Sequence, residues 1–147
     1  MWLGWLTDSA KYQCRGYFPN VADIPADYRD KSKWNSFFKT ESVRGIRRID
    51  FRAVELSRRF PEQIRIKEWE MKEPHKKYLL EFICWIPSGR DGVFDGEYSW
   101  NPNNPKEHNC SSWVVKKIND VMGNNFINCP QPKKLESVIN HIFNGTK

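Results

Sequence analysis

The sequence lacks several features that define whole classes of protein. No apolar run approaches the roughly 18 residues that a transmembrane helix needs, so we predict no transmembrane segment. There is no internal repeat and no low-complexity tract, which excludes solenoid and collagen-like architectures. Paired Cys-x-x-Cys and His-x-x-x-His spacings are also missing. We therefore predict no metal site, and nothing in the composition indicates an organic cofactor.

The aromatic content is that of a folded domain. The 147 residues include seven Trp and nine Phe, large groups that disordered chains lack. This length suits one domain with a single core. We predict one domain over residues 1–147, with an irregular N-terminal arm over about 1–40, where turn-forming residues are frequent, and a core over about 41–147.

Four cysteines leave the redox state open. They are enough for two disulfides in a secreted protein, and the pairings that we consider are Cys14–Cys129 and Cys110–Cys129. A reducing cytoplasm would instead favour free thiols. The opening Met-Trp-Leu-Gly-Trp-Leu is short and has no basic leader, so we predict no cleavable signal peptide. The location stays open between the cytoplasm and export by a specialised route.

Hydrophobic periodicity predicts a mixed α+β fold. Residues 49–60 place apolar side chains at helical spacing, and 109–122 form a helical pattern between the N-capping Asn109 and the terminating Gly123. The run at 77–86 is apolar on both faces, which is typical of a central strand. The other predicted elements are helices at 2–12, 25–38 and 133–143 and strands at 63–71 and 93–98. We expect a small antiparallel sheet packed against a Cys-bearing helix.

One segment has the pattern of a reactive thiol. In Glu107-His108-Asn109-Cys110-Ser111-Ser112-Trp113-Val114, a cysteine stands in the first turn of a predicted helix. The helix dipole and the unpaired N–H groups there stabilise a thiolate. The same N–H groups can stabilise the oxyanion that forms on an attacked carbonyl. Cys110 is thus the predicted nucleophile of an acyl-transfer reaction. The competing interpretation is a structural cysteine, since Cys is among the most buried residue types.

The stretch Asn-Cys-Ser-Ser-Trp-Val-Val-x-x-Ile at 109–118 resembles the Asn-Cys-x-x-aromatic helix start of the circularly permuted papain-like (NlpC-type) thiol enzymes. That superfamily includes lecithin:retinol acyltransferase relatives, PPPDE-type peptidases and several bacterial effector families. The resemblance implies a papain-like fold and a thiol hydrolase or acyltransferase (cysteine protease, amidase or deamidase type). Its substrate would be a protein, a peptide or a lipid ester, attacked by Cys110. A role as an effector or toxin domain is a further implication.

The same resemblance implies a histidine that precedes the cysteine and stands at the start of a strand. His75 comes directly before the predicted strand at 77–86, so it is the candidate general base and acid. A third polar group should orient the imidazole. Glu97 is the preferred candidate for this role, with Asp95 and Asp91 as alternatives.

Other assignments stay open. His108 lies two residues before Cys110 and is an alternative base. Asn109 or Asn104 is a candidate for the oxyanion site. His141 lies in a predicted helix, which fits the implied pattern less well.

A second hypothesis, from another class, is a binding module. Basic residues crowd the region around the 49–60 helix, and its outer face is expected to include Arg48, Arg52 and Arg59. Basic side chains contact phosphates and aromatic faces stack on bases, so the partner would be nucleic acid or an acidic protein. The net charge of +6 permits such binding without demanding it. An ordinary solvated helix face is the competing interpretation.

Overall fold

A five-stranded sheet forms the framework of the protein in the computed structural model, which describes residues 2–6, 12–64, 70–100 and 106–123. The strands lie side by side in chain order: β1 (Trp2–Leu6), β2 (Tyr12–Pro19), β3 (Val43–Ile49), β4 (Val93–Tyr98) and β5 (Glu107–His108). The pairs β1–β2, β2–β3 and β3–β4 are antiparallel, whereas β5 runs parallel to β4. The predicted α+β class is confirmed, while a papain-like fold stays a prediction.

Helices and short turns connect the strands. Between β2 and β3 lie three 3-10 turns (Val21–Asp23, Ala26–Tyr28, Lys31–Lys33) and α1 (Trp34–Phe38). After β3 come α2 (Phe51–Arg59) and a 3-10 turn (Pro61–Gln63). Before β4, α3 (Glu73–Tyr78) continues into a π-helical segment (Leu79–Ile83), and α4 (Cys110–Met122) follows β5. In the described part of the chain, no helix is long and apolar enough to cross a lipid bilayer.

The two faces of the sheet carry different residues. Tyr17 and Arg47 are register partners, and both lie on the face that packs against α4, which we call the inner face. The next register pairs align Phe18, Ile46 and Phe94 across β2, β3 and β4. Because side chains alternate along a strand, these three lie on the opposite face, which we call the outer face.

An aromatic stack joins the inner face to α4. The ring of Trp113 lies 5.5 Å from that of Tyr17 and nearly parallel to it. Tyr17 in turn stacks on Tyr98 at 5.7 Å, and Phe38 meets Tyr98 edge-on at 5.3 Å. All four side chains are buried. Since each large aromatic ring removes much apolar surface from water, this stack is the centre of the core.

A β-bulge changes the alternation of β4. Between the pairs made by Arg44 and Ile46, β4 has one residue more than β3. Gly96 provides this residue with a φ of +72°, a left-handed conformation that glycine adopts without a Cβ clash. As a result, Asp95 and Tyr98 both face α4 although they are three positions apart.

The N-terminal part is not the irregular arm that its composition predicts. The helix predicted at 2–12 is wrong, because residues 2–6 form β1, and β2 is the second strand of the sheet. Leu3 and Trp5, two positions apart as in a strand, both pack on the core. Pairing with β2 stabilises a segment that is too short to be stable alone. The helix predicted at 25–38 is only partly correct, because α-helix is confined to 34–38.

The predicted central strand at 77–86 is also wrong, because residues 73–83 are helical. Pro74 stands in the first turn of α3, where a proline costs no helical hydrogen bond. Leu79, Ile83 and Cys84 form the buried side of the helical run, at a spacing of four and five residues. A continuous apolar run fits a buried helix as well as a strand, and here the helix is formed.

Several other predictions can be compared with the structure. The helix predicted at 49–60 is confirmed as α2, where Asp50 caps the first turn by accepting the Ala53 N–H at 3.0 Å. The strand predicted at 93–98 is confirmed as β4. Most of the strand predicted at 63–71 lies outside the described residues, as do the predicted helix at 133–143 and the residues Asn104, Cys129 and His141.

Gly45 allows Tyr17 to cross β3. A Cβ placed on Gly45 would overlap the hydroxyl end of the Tyr17 ring. The same hydroxyl donates a hydrogen bond of 2.6 Å to the carbonyl oxygen of Asp95. Any side chain at position 45 would therefore push Tyr17 away from both Asp95 and Trp113.

We expect Gly45→Ala to lower the free energy of unfolding by about 3 kcal/mol, because overpacking a rigid core forces shifts of side chains and backbone. Urea denaturation measures this change. Gly89→Ala is the matched control, since Gly89 has a positive φ but nothing within 4 Å of its Cβ position. That control should cost about 1 kcal/mol, the strain of the backbone alone. Equal losses in the two variants would show that Tyr17 is not held at Gly45.

Candidate active site

The chain that leads into Cys110 is held by β4. The Glu97 N–H donates to the Lys106 carbonyl at 3.0 Å, and the Ser99 N–H donates to the His108 carbonyl at 3.1 Å. These bonds form the short parallel ladder between β4 and β5. The residues directly before Cys110 therefore have a defined position on the sheet.

Asn109 begins α4 with a capping box. Its side-chain oxygen accepts the N–H groups of Ser111 at 3.0 Å and Ser112 at 2.8 Å, and the Ser112 hydroxyl accepts the Asn109 N–H at 2.9 Å. The amide group of Asn109 also donates to the carbonyl of Trp100 at 3.4 Å. Three of the four unpaired N–H groups of a helix start are thus satisfied, and only the N–H of Cys110 has no partner within the cap.

Cys110 differs from the two other cysteines that the structure describes. All three are free thiols, so neither of the disulfides considered for Cys14 and Cys110 is formed. Cys14 and Cys84 are buried at 0% and 1% exposure. Burial raises the pKa of the Cys14 thiol to about 11 and that of Cys84 to about 12. Cys110 is only half-buried, and its sulfur lies 3.8 Å from the Ser111 hydroxyl.

His108 and Tyr98 lie at the same end of the inner face as Cys110. The parallel register pairs His108 with Tyr98, so the two side chains share a face of the sheet. Burial raises the pKa of Tyr98 to about 12, and the nearby Cys110 adds to this shift. Both ring nitrogens of His108 are shielded from solvent. The structure therefore brings Cys110, Tyr98 and His108 into one neighbourhood.

His75 lies on a different element from the one expected. It is a half-buried residue of α3, and α3 packs against α4. Within the described residues, no hydrogen bond joins His75 to Cys110. The predicted strand start at His75 is wrong because the segment that follows is helical.

Asp95 binds α4 instead of a histidine. Its carboxylate accepts the indole N–H of Trp113 at 2.9 Å and forms an ion pair with Lys117 at 2.9 Å. Arg47 lies 3.8 Å away on β3. Burial raises the pKa of Asp95, but the hydrogen bonds of Trp113 and Lys117 and the two positive charges outweigh it, so the net shift is downward.

Glu97 lies on the outer face, across the sheet from α4. It pairs with Arg44 in the register and accepts the Ser42 hydroxyl at 2.9 Å. Its side chain is exposed, as is that of Asp91 in the turn before β4. Of the three candidates for an orienting acid, the structure thus places only Asp95 on the same face as α4.

The three basic residues singled out in the sequence do not share one helix face. Arg48 belongs to the outer face of β3, where its guanidinium lies 4.4 Å above the ring of Phe18. Arg52 and Arg59 are exposed on α2, and Arg59 pairs with Glu55 at 3.6 Å. They border the same side of the sheet, because α2 packs on the outer face of β2.

Sequence reasoning missed the roles of Tyr98 and Lys117. The sequence pattern marks Tyr98 only as the end of a strand and Lys117 only as part of a helical stripe. The spacing of Trp113 and Lys117, one helical turn apart, is the available signal that both reach one partner. That the partner is Asp95 follows only from the long-range packing of α4 on β4.

We expect Asp95→Asn to lower the free energy of unfolding by about 2 kcal/mol at neutral pH, because Lys117 and Arg47 lose their shared counter-charge. The folded-state pKa of Asp95 lies below its ordinary value of 3.8. The difference between wild type and variant should therefore be present above pH 3.8 and disappear as the pH falls through the lower folded-state value. Urea denaturation at a series of pH values measures it.

Asp120→Asn provides the matched control. Asp120 pairs with Lys116 at 3.0 Å on the solvent side of α4. A helix-surface pair of this kind contributes about 0.5 kcal/mol or less. If the two variants lose the same stability, Asp95 does not hold α4 to the sheet.

Among the residues that the structure describes, no group of three His, Cys, Asp or Glu side chains is arranged to hold a metal ion. In comparisons with family models, with curated proteins and with solved structures, nothing matches this chain. The function must therefore be inferred from the described side chains themselves.

Proposed function

We propose that the protein is a thiol-dependent hydrolase or acyltransferase in which Cys110 attacks a carbonyl carbon. The observation that supports this most is the contrast among the described cysteines: two are sealed in the core, while Cys110 is half-buried at the start of a capped helix. A cysteine in the first helical turn lies at the positive end of the helix dipole, which favours the thiolate.

The rigidity of the helix start also supports a reactive role. Cys110 is held between β5, which is bonded to β4, and a helix stacked on Tyr17. A nucleophile needs a defined position relative to its substrate. The N–H of Cys110 is the backbone donor that the cap leaves available for an oxyanion. Asn109 would contribute only if its amide gave up the bond to Trp100.

For the general base, His108 is the imidazole best supported by its position. It precedes Cys110 by two residues and shares a face with Tyr98, which lies close to the thiol. His75, which the resemblance implies, would have to act from α3. An imidazole in this role accepts the thiol proton during attack and returns it when the thiol is released.

The substrate class follows from the resemblance to permuted papain-like enzymes. A protein, a peptide or a lipid ester contains the carbonyl that the thiolate attacks. Water or another nucleophile then accepts the acyl group from Cys110. An effector or toxin role belongs to the same proposal and depends on the identity of that substrate.

The first experiment uses p-nitrophenyl acetate as the probe. Attack by Cys110 forms a C–S bond and breaks the C–O bond to p-nitrophenolate, and water then releases acetate and restores the thiol. We expect a burst of p-nitrophenolate and acetylation of the Cys110 peptide in mass spectrometry. Cys110→Ala should abolish both without changing the circular dichroism spectrum, while Cys129→Ser, which replaces a cysteine outside the described residues, should leave the burst unchanged.

Alkylation of the native protein gives an independent readout. Near neutral pH, iodoacetamide should modify Cys110 faster than Cys14 and Cys84, because burial and a raised pKa protect those two thiols. Peptide mapping measures the three rates. A Cys110 thiol that resists alkylation until the protein is unfolded would rule out the proposed function.

Two variants identify the base. His108→Gln should slow the burst by about 100-fold if His108 accepts the thiol proton, with His75→Gln then near the wild-type rate. The opposite result would assign the base to His75. Glu97→Gln should leave the burst unchanged, because Glu97 lies on the outer face, across the sheet from α4; a slower burst would instead support Glu97 as the group that orients the imidazole. If neither histidine variant slows the reaction, no imidazole in the described chain serves Cys110.

A further inference from the structure

The outer face of the sheet carries arginine and phenylalanine side chains side by side. Arg48 lies over the ring of Phe18, with its guanidinium carbon 4.4 Å from the ring centre. Phe94, one strand away, is 54% exposed. The first turn of α2 adds Phe51, which is 74% exposed, and the exposed Arg52. We call these five side chains the arginine–phenylalanine surface.

The start of α2 lies beside Phe18, which makes the surface continuous. A Cβ on Gly16 would meet both the ring of Phe18 at 2.7 Å and the carboxylate of Asp50 at 3.1 Å. Asp50 is the N-cap of α2, so Phe51 and Arg52 follow directly. Side chains from a strand and a helix thus form one patch.

This patch is the basic end of the outer face. Residues 48–59 contain four arginines against two acidic residues. Among the residues that the structure describes, no carboxylate forms an ion pair with Arg48 or Arg52. Arg44, further along β3, is neutralised by two hydrogen bonds of 2.7 Å to Asp23, and its guanidinium carbon lies 4.3 Å from the ring centre of Phe94, so it covers one face of that ring. The unpaired positive charge therefore lies next to exposed aromatic rings.

We propose that the arginine–phenylalanine surface binds single-stranded nucleic acid. Phosphates would contact Arg48 and Arg52, and bases would stack on Phe51 and on the face of Phe94 that Arg44 leaves uncovered. Proteins that bind single strands combine these same two elements, positive charge along the backbone path and aromatic faces for the bases. A duplex hides the faces of its bases, and the carboxylates of an acidic protein segment offer no aromatic face to stack on the exposed rings. The binding is reversible and does not involve Cys110.

Fluorescence anisotropy with a labelled oligodeoxythymidylate of about 15 nucleotides tests the inference, since that length covers a site of ordinary size. We expect Arg48→Ala/Arg52→Ala to weaken binding about tenfold or more and to flatten the dependence of log K on log salt by about 1.4, or about 0.7 for each phosphate that is no longer neutralised. Phe94→Leu should weaken binding about tenfold with an unchanged salt slope, because stacking carries no charge.

Lys116→Ala is the matched control, because it removes one exposed positive charge from α4, on the opposite side of the sheet. It should leave affinity within about twofold of wild type, and Cys110→Ala should do the same. Arg48→Lys should keep the salt slope but reduce the affinity in part, since lysine has no planar group to stack on Phe18.

Three results would overturn the inference. Wild-type binding by Arg48→Ala/Arg52→Ala would show that the phosphates do not lie there. Equal weakening by Lys116→Ala would indicate attraction to the net charge alone. Displacement of the oligonucleotide by polyglutamate, or by anionic lipid vesicles, at equal charge concentration would assign the surface to an acidic protein or to a membrane. Circular dichroism confirms that each variant is folded.

Discussion

The carboxylate of Asp95 is the interaction on which the position of the candidate site depends. It joins three groups that come from two different elements: the indole and ammonium groups of α4 and the guanidinium of β3. A group with this many partners has little freedom, because each bond restricts the direction of the others. The aromatic stack around Tyr17 adds apolar contact but allows sliding, whereas hydrogen bonds define one position of α4 along the sheet.

The bonds of Asp95 to Trp113, Lys117 and Arg47, which we call the Asp95 clamp, also restrain Cys110. The thiol lies one turn before Trp113 on the same helix, and the segment before it is bonded to β4. Cys110 is therefore restrained from both directions, by the clamp beyond it and by the strand before it. A thiol held in this way keeps its exposure, while the two core cysteines are inaccessible for reasons of packing alone.

The parts of the fold that sequence predicts correctly depend on local chemistry. Asn109 and Gly123 mark the ends of α4, and Asp50 caps α2. The failures have non-local causes. β1 is a strand because β2 pairs with it, and the 77–86 run is helical because only one side of it meets the core. In the candidate site, Cys110 and His108 are identifiable from sequence, but the partners of Asp95 lie on β3 and α4 and could not be read from its neighbours in the chain.

Gly96 is an inserted residue that changes which face of the sheet the following side chains of β4 occupy. A regular strand would send Asp95 and Tyr98 to opposite sides, since their separation is an odd number of residues. Because β4 contains this one extra residue, the carboxylate of Asp95 and the ring of Tyr98 lie on the same face of the sheet, towards α4. Deleting Gly96 would move Glu97 and Tyr98 by one position in the strand register. Tyr98 would then point away from α4, to the outer face of the sheet. The chemistry proposed for Cys110 thus depends on a residue that has no side chain.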